Sequence, residues 1–331
     1  MDAHCLDPSQ PWALAHGVLV RGKGLKLPDG RSAVDALVVD NVLPKTLLFP
    51  SNRGATPIDS HPGLLLKVLV EVGVEPNRSF TAGGRTFSFA QLLEAGRDAA
   101  LAGVRGEDPP FKNRAWQLEI LGESAEPALR QEVLEVLVKN QAYFEDYARE
   151  PGKRYRKATE QQGQRRVPGA IHRYYCGGLH LFQATQRIHG QELPAALQRQ
   201  YELLLLRLKL ETGYWKDAWA SVQRRSPPDL ERHRRVIFAQ RLKLQGHALE
   251  TYLRAIRAGV LEPTPEVVEE LNAGFRELAE TVKELVSSGI YAELPRLAQA
   301  APQLYRDLAG DSAHALHAYV LAQGVEGVVA K

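Results

Sequence analysis

The stretch TPEVVEELNAGFRELAETVKELVSSG, residues 264–289, has the most regular apolar pattern in this 331-residue chain. Thr264 is suited to cap a helix, Pro265 fits the first helical position, and Gly289 is a natural stop. The apolar residues between them recur at steps of three and four, which is the period of an amphipathic α-helix. This apolar stripe comprises Val268, Leu271, Phe275, Leu278, Val282 and Leu285.

The same period appears on both sides of that stretch. It predicts helices within residues 124–150, 193–223 and 229–259, and a last helix over 312–323. The chain is therefore predicted to be mainly α. The pattern leaves open whether the helices form a bundle or an α/α ring-like array.

The first hundred residues have a more mixed pattern. Gly83-Gly84 favours a tight turn, so we expect a small β-hairpin near residues 80–87. Ser88 and Gln91 then match the capping box that begins a helix. Because Pro109-Pro110 cannot continue a helix, the sequence predicts a mixed N-terminal portion, 1–108, and a helical domain, 111–331. One continuous domain is the alternative.

Charge is unevenly distributed along the chain, although the net charge is only +3. Residues 151–167 contain six basic residues against one acidic residue, and residues 223–243 contain seven against two. Two basic surfaces of this kind favour an anionic small ligand or a protein partner, or else are simply solvated. The sequence has no nucleic-acid-binding motif.

No apolar run approaches the roughly 18 residues that a membrane span needs, so we expect a soluble protein. The N-terminal residues lack the basic and apolar regions of a signal peptide. Met1 is the only methionine. A cytoplasmic protein and a mature exported protein whose signal has been removed both fit this composition.

The stretch AIHRYYCGGLHLFQATQRIHG, residues 170–190, holds the strongest candidate for chemistry. His172, Cys176 and His180 are four residues apart, so one helix would place them on one face, and all three suit zinc or iron. Cys176 is also a candidate catalytic nucleophile, with His172 or His180 as its base. A helix packed in the core is the simpler interpretation, and Gly177-Gly178 would weaken that helix. Candidates for a fourth ligand are His16, His61, His189 and Glu145.

Three other pairs of residues merit attention. His16 and His61 each stand beside glycine or proline and are candidates to line a ligand pocket, although capping or packing also explains them. Trp215 and Trp219 are helical neighbours that would stack on a ligand or pack in the core. His314 and His317 have a spacing that suits metal binding, but we expect them on an exposed flank.

Two functions from different classes follow from these features. The first is a soluble helical protein that binds a protein or an anionic ligand and performs no chemistry. The second is a zinc- or iron-dependent helical enzyme with a His/Cys site around residues 172–180. The sequence contains no phosphate-binding loop, dinucleotide fingerprint or hydrolase elbow, which disfavours nucleotide-dependent chemistry.

Overall fold

The computed structural model of the protein describes residues 2–54, 56–155 and 171–328. It confirms a mainly α fold with a small N-terminal hairpin. The helices, in chain order, are α1 Asp2–Cys5, α2 Pro11–Arg21, α3 Ala33–Val39, α4 Leu64–Glu71, α5 Phe89–Gly103, α6 Ala115–Leu121, α7 Pro127–Arg149, α8 Leu179–His189, α9 Ala195–Arg225, α10 Leu230–Arg257, α11 Pro265–Ser287, α12 Leu294–Ala300 and α13 Pro302–Ala322.

Strands make two short antiparallel pairs. β1 Asn52–Arg53 pairs with β2 Thr56–Pro57, and β3 Ser79–Ala82 pairs with β4 Arg85–Ser88. The second pair is the predicted hairpin. Gly83 and Gly84 form its turn with φ of 56° and 80°, a region that glycine enters without steric cost.

The described residues fall into two compact units. The first contains those up to Arg130 together with Gln183–Gly190, and the second contains those of Gln131–Phe182 and those from Gln191 onward. The domain boundary expected between residues 108 and 111 stays a prediction. The basic stretch 151–167 lies largely outside the described residues, which resume at Ile171.

The first unit is built around an apolar core that α2, α3, α4 and the β3–β4 hairpin share. The predicted capping box begins α5: Ser88 Oγ accepts from the Gln91 amide, and Gln91 Oε1 accepts from the Ser88 amide. Reciprocal bonds of this kind satisfy amides that the first helical turn leaves open. The local sequence signals at residues 78–91 thus fix both the hairpin and the helix that follows.

The second unit contains the longest helices, and α10 packs against α9, α11 and α13. The start of α11 matches its sequence pattern, because Thr264 Oγ accepts from the Val267 amide and Pro265 is the first helical residue. The last helix begins earlier than the predicted 312–323, at Pro302. Proline at a first helical position needs no amide hydrogen, so Pro302 is compatible with that start.

Helices α10 and α13 approach each other most closely at Gly246. A Cβ placed there would lie 2.9 Å from the Ala315 backbone nitrogen and 3.2 Å from Ala315 Cβ. Real Cβ atoms do not come that close to a neighbouring backbone without a shift. The absence of a side chain at Gly246 therefore sets the spacing of these two helices.

No helix within the described ranges combines the length and apolar character that crossing a bilayer requires. No disulfide joins Cys5 to Cys176, both of which lie within those ranges.

Gly246→Ala should lower the free energy of unfolding by about 1–3 kcal/mol, because the added methyl group forces α10 and α13 apart. Gly213→Ala on α9 is the matched control, since a Cβ there meets nothing within 4 Å. Replacing a helical glycine by alanine in open space should stabilise the protein by up to about 1 kcal/mol. Urea unfolding followed by circular dichroism measures both changes, and equal effects would contradict the close approach.

Candidate metal centre

The stretch that carries Cys176 and His180 is not one continuous helix. Short 3₁₀ turns cover Ile171–Arg173 and Tyr175–Gly178, and α8 begins only at Leu179. Cys176, Gly177 and Gly178 all have left-handed backbones, with φ of 48°, 63° and 80°. The expectation that His172, Cys176 and His180 share one helical face is therefore wrong, because this left-handed turn separates the residues before it from α8.

Close packing explains why glycines occupy this turn. A Cβ on Gly177 would lie 2.5 Å from Arg207 Nη2, and a Cβ on Gly178 would lie 2.3 Å from Ile171 Cδ1. The guanidinium of Arg207 thus lies directly against the backbone that follows Cys176. Neither glycine can carry a side chain without displacing a neighbour, so the position of Cys176 depends on both.

His172 contacts side chains that hold this turn in place. Its Nε2 lies 3.3 Å from Tyr155 Oη and 3.5 Å from Glu211 Oε1. Glu211 in turn accepts a 2.7 Å hydrogen bond from Nε of Arg207, and both residues are buried. The network formed by Tyr155, His172, Arg207 and Glu211 therefore holds the base of the Cys176 turn.

Cys176 and His180 come together instead with His247 of α10. One ligand atom from each of the three residues lies within 4.8 Å of the other two. His180 and His247 are buried, and their rings meet edge to face with centroids 4.7 Å apart. A thiolate and two imidazoles make up a donor set that suits zinc.

A second group overlaps the first through His247. Ligand atoms of His247, Glu250 and His314 also lie within 4.8 Å of one another. The ring of His314 lies 3.9 Å from that of His247 and 5.2 Å from that of His180, measured between centroids. Helices α8, α10 and α13 thus each contribute one imidazole to a buried cluster.

Glu250 accepts hydrogen bonds from both histidines of α13. Its Oε2 accepts a 2.7 Å hydrogen bond from Nδ1 of His314, and its Oε1 accepts a 2.6 Å bond from Nδ1 of His317. Both histidines are buried, so the expectation that they lie on an exposed flank is wrong. A carboxylate on Nδ1 fixes the tautomer of the ring and leaves Nε2 as the donor to a metal.

Asp311 orients the ring of His247 in the same way, through a hydrogen bond to its carboxylate. Its Oδ1 accepts a 3.2 Å hydrogen bond from Nε2 of His247. Among the described residues, the buried Nδ1 of His247 has no hydrogen-bond partner. Lys243, on the same helix as His247, lies 3.1 Å from Asp307 and 3.9 Å from the second oxygen of Asp311. His247 is thus oriented by Asp311, and its Nδ1 lies 4.0 Å from Glu250 Oε2 without a hydrogen bond.

Burial and charge act in opposite directions on these groups. Burial lowers the pKa of His247, but the charges of Cys176 and Asp311 outweigh it and raise that pKa to about 10. Burial likewise favours the neutral form of Glu250, yet His314 and His317 keep its pKa well below the usual range. At Asp311, burial prevails over His247 and Lys243 and raises the pKa. Burial and neighbouring charges thus shift the pKa values of these groups in different directions.

The remaining candidate residues lie elsewhere. His16 donates through Nδ1 to the Trp12 carbonyl at 2.7 Å, and His61 stacks on Trp116 with centroids 4.4 Å apart. Both residues belong to the first unit. These contacts fit the capping or packing that the sequence left open as the alternative to a ligand pocket.

Trp215 and Trp219 are half-buried along α9 and contact different neighbours. Trp215 meets Tyr214 at 5.1 Å, and Trp219 meets Phe238 at 5.7 Å, both edge to face. Their role in ligand binding stays a prediction. Of the proposed fourth ligands, Glu145 pairs with Arg199, and His189 is buried in the first unit.

Sequence analysis named Cys176 and His180 but missed His247, Glu250 and Asp311. The signal was present in the spacing, because His247 and Glu250 are three residues apart on one helix, and Asp311, His314 and His317 repeat at three on another. Residues at that spacing share a helical face. The two series are more than 60 residues apart in the chain, so only the fold shows that they meet.

No protein-family model, curated protein or solved structure matches this chain. The argument for function therefore rests on the geometry of the cluster.

Gly177→Ala should disturb the cluster by moving the Cys176 turn away from Arg207. Gly259→Ala is the matched control, because Gly259 has a similar φ of 70° but a Cβ there meets nothing within 4 Å. The control should cost about 1–2 kcal/mol of stability through backbone strain alone. Gly177→Ala should cost about 1–3 kcal/mol more. Thermal unfolding measures the difference, and equal losses would contradict the packing of Arg207 against the turn.

Proposed function

We propose that this protein binds one divalent transition-metal ion, zinc in the first instance, at Cys176, His180 and His247. The observation that carries the proposal is the convergence of these three donors within 4.8 Å, with Nδ1 of His247 buried and oriented by Asp311. Three protein ligands leave a fourth tetrahedral position for water or substrate, which is the arrangement of catalytic zinc sites. The proposal thus supports the metal-dependent enzyme rather than a purely structural site.

The surrounding groups supply what a metal site needs around its ligands. Ligating histidines usually donate their second ring nitrogen to a carboxylate, as His247 does to Asp311. His314 contacts both other imidazoles and is oriented by Glu250. If Cys176 were instead a nucleophile with His247 as its base, fewer of these groups would have a role. It would leave unexplained why His180 and His314 are buried against the same ring.

The alternative proposal, a protein that binds an anionic ligand through residues 223–243, has less support. The basic side chains of that stretch contact acidic partners: Arg234 pairs with Glu284, Arg235 with Glu293, Arg241 with Glu277 and Lys243 with Asp307. Side chains engaged in this way offer less charge to an external anion. This binding function remains the second candidate.

Metal binding is tested on untagged protein, because a histidine tag would itself bind the ion. After chelator treatment, the protein should take up one zinc ion per chain in a calorimetric titration. His247→Gln should weaken zinc affinity by at least about 100-fold, since the residue contributes a ligand atom, and Asp311→Asn by about 10–100-fold. An unchanged helical circular dichroism spectrum shows that each variant is folded.

His233→Gln is the matched control on the same helix, because the side chain of His233 is 42% exposed and pairs only with Asp229 among the described acidic residues. It should bind zinc like the original protein. Failure of the unaltered protein to bind zinc, or equal binding by His247→Gln and His233→Gln, would overturn the proposal. A parallel titration with ferrous iron under exclusion of oxygen identifies the ion, and tighter iron binding would replace zinc by iron.

A further inference from the structure

Cys176 is the most accessible donor of the cluster. The residue is partly exposed, whereas His180, His247, Glu250, Asp311 and His314 are buried. Tyr175, which precedes it, is exposed. Among these residues of the cluster, Cys176 is therefore the one that lies nearest to solvent.

Charged side chains of α10 and α13 lie near the cysteine. Cys176 interacts electrostatically with Lys243 and with His247, both on α10. The acidic groups that face these two side chains are Glu250 of α10 and Asp307 and Asp311 of α13. A partly exposed cysteine in such a cluster is open to oxidants from solvent, and its first oxidation product, the sulfenic acid, is reversible.

The buried Nδ1 of His247 is a second and independent observation. It makes no hydrogen bond of ordinary length within the described residues: Glu250 Oε2 lies 4.0 Å away, and a ligand atom of the buried His247 lies within 4.8 Å of that of Cys176. A buried nitrogen without a partner is costly, and an ion shared with the sulfur would satisfy it. Cys176 is therefore coupled to the site that would hold the ion.

We infer that Cys176 is a redox-sensitive ligand, and that its oxidation by a hydroperoxide releases the metal ion. The inference rests on the proposed function, because release requires that Cys176 ligate the ion. It adds a modification site and a class of reactant, hydrogen peroxide or an organic hydroperoxide, to the metal centre.

The chemical step is a two-electron transfer. The thiolate sulfur attacks one peroxide oxygen, a sulfur–oxygen bond forms, and the oxygen–oxygen bond breaks. Sulfur is oxidised to sulfenic acid, while the leaving oxygen is reduced and takes a proton to become water or an alcohol. A sulfenic acid is a far weaker zinc ligand than a thiolate, so His180 and His247 alone hold the ion weakly. Two equivalents of a small thiol reduce the sulfenic acid back to the thiol through a mixed disulfide, and are themselves oxidised to a disulfide with loss of water.

Cys5 provides an internal comparison within the same chain. It is buried and belongs to the first unit, so it lacks both the exposure of Cys176 and the neighbouring donors of the cluster. A general sensitivity of cysteines to peroxide would affect both residues. Sensitivity that depends on exposure and on the cluster would affect Cys176 alone.

The experiment treats zinc-loaded full-length protein with hydrogen peroxide in the presence of a chromophoric zinc indicator and dimedone, which traps sulfenic acids. We expect one zinc ion to be released for each Cys176 labelled, and Cys176 to be labelled at least about ten times faster than Cys5 by peptide mass spectrometry. The Cys5→Ala variant should release zinc at the same rate. A small thiol, added in a reaction without dimedone, should restore zinc binding.

Each contrary outcome has its own meaning. Zinc that stays bound while peroxide is present, or equal labelling of Cys5 and Cys176, overturns the inference and leaves the proposed function in place. Zinc release without labelling of Cys176 likewise overturns it. A protein that takes up no zinc before treatment overturns the proposed function and this inference together.

Discussion

The close contact of α10 with α13 at Gly246 and Ala315 is the constraint on which the candidate site depends. His247 follows Gly246 directly, and His314 precedes Ala315, so the point of closest approach lies beside both rings. With only hydrogen on Gly246, the two helices come near enough for Glu250 to reach His314 and His317, and for Asp311 to reach His247. The distance between α10 and α13 thus determines whether these hydrogen bonds can form.

Burial makes these polar contacts obligatory once the helices are close. A buried carboxylate without partners is strongly unfavourable, and Glu250 avoids that cost by accepting bonds from two imidazoles. The imidazoles face the opposite problem, because protonating His180, His247 and His314 together would place like charges 4–5 Å apart. A cation bound by neutral rings and a thiolate would remove the repulsion between the imidazoles, which favours the metal hypothesis over core packing.

The parts of the structure that sequence predicts well are those set by local chemistry. Thr264 and Pro265 begin a helix, Gly83-Gly84 turns a hairpin, and Ser88 caps the next helix, because each signal acts over a few residues. Within the candidate site, Cys176 and His180 stand out in the sequence by residue type. His247 does not, since a histidine in a basic amphipathic helix resembles a surface residue until α13 is packed against it.

The backbone between His172 and His180 shows why spacing alone misleads at a break in a helix. Steps of four residues carry information only where the backbone is helical, and three consecutive left-handed residues interrupt it between His172 and His180. Gly177 permits that interruption, and Arg207 packs into the space that its missing side chain leaves. Because Glu211 joins Arg207 to His172, this histidine supports the turn that presents Cys176, while metal binding by it stays a prediction. The left-handed turn at Gly177 and Gly178 thus leaves His172 beside Glu211, whereas Cys176 and His180 come together with His247.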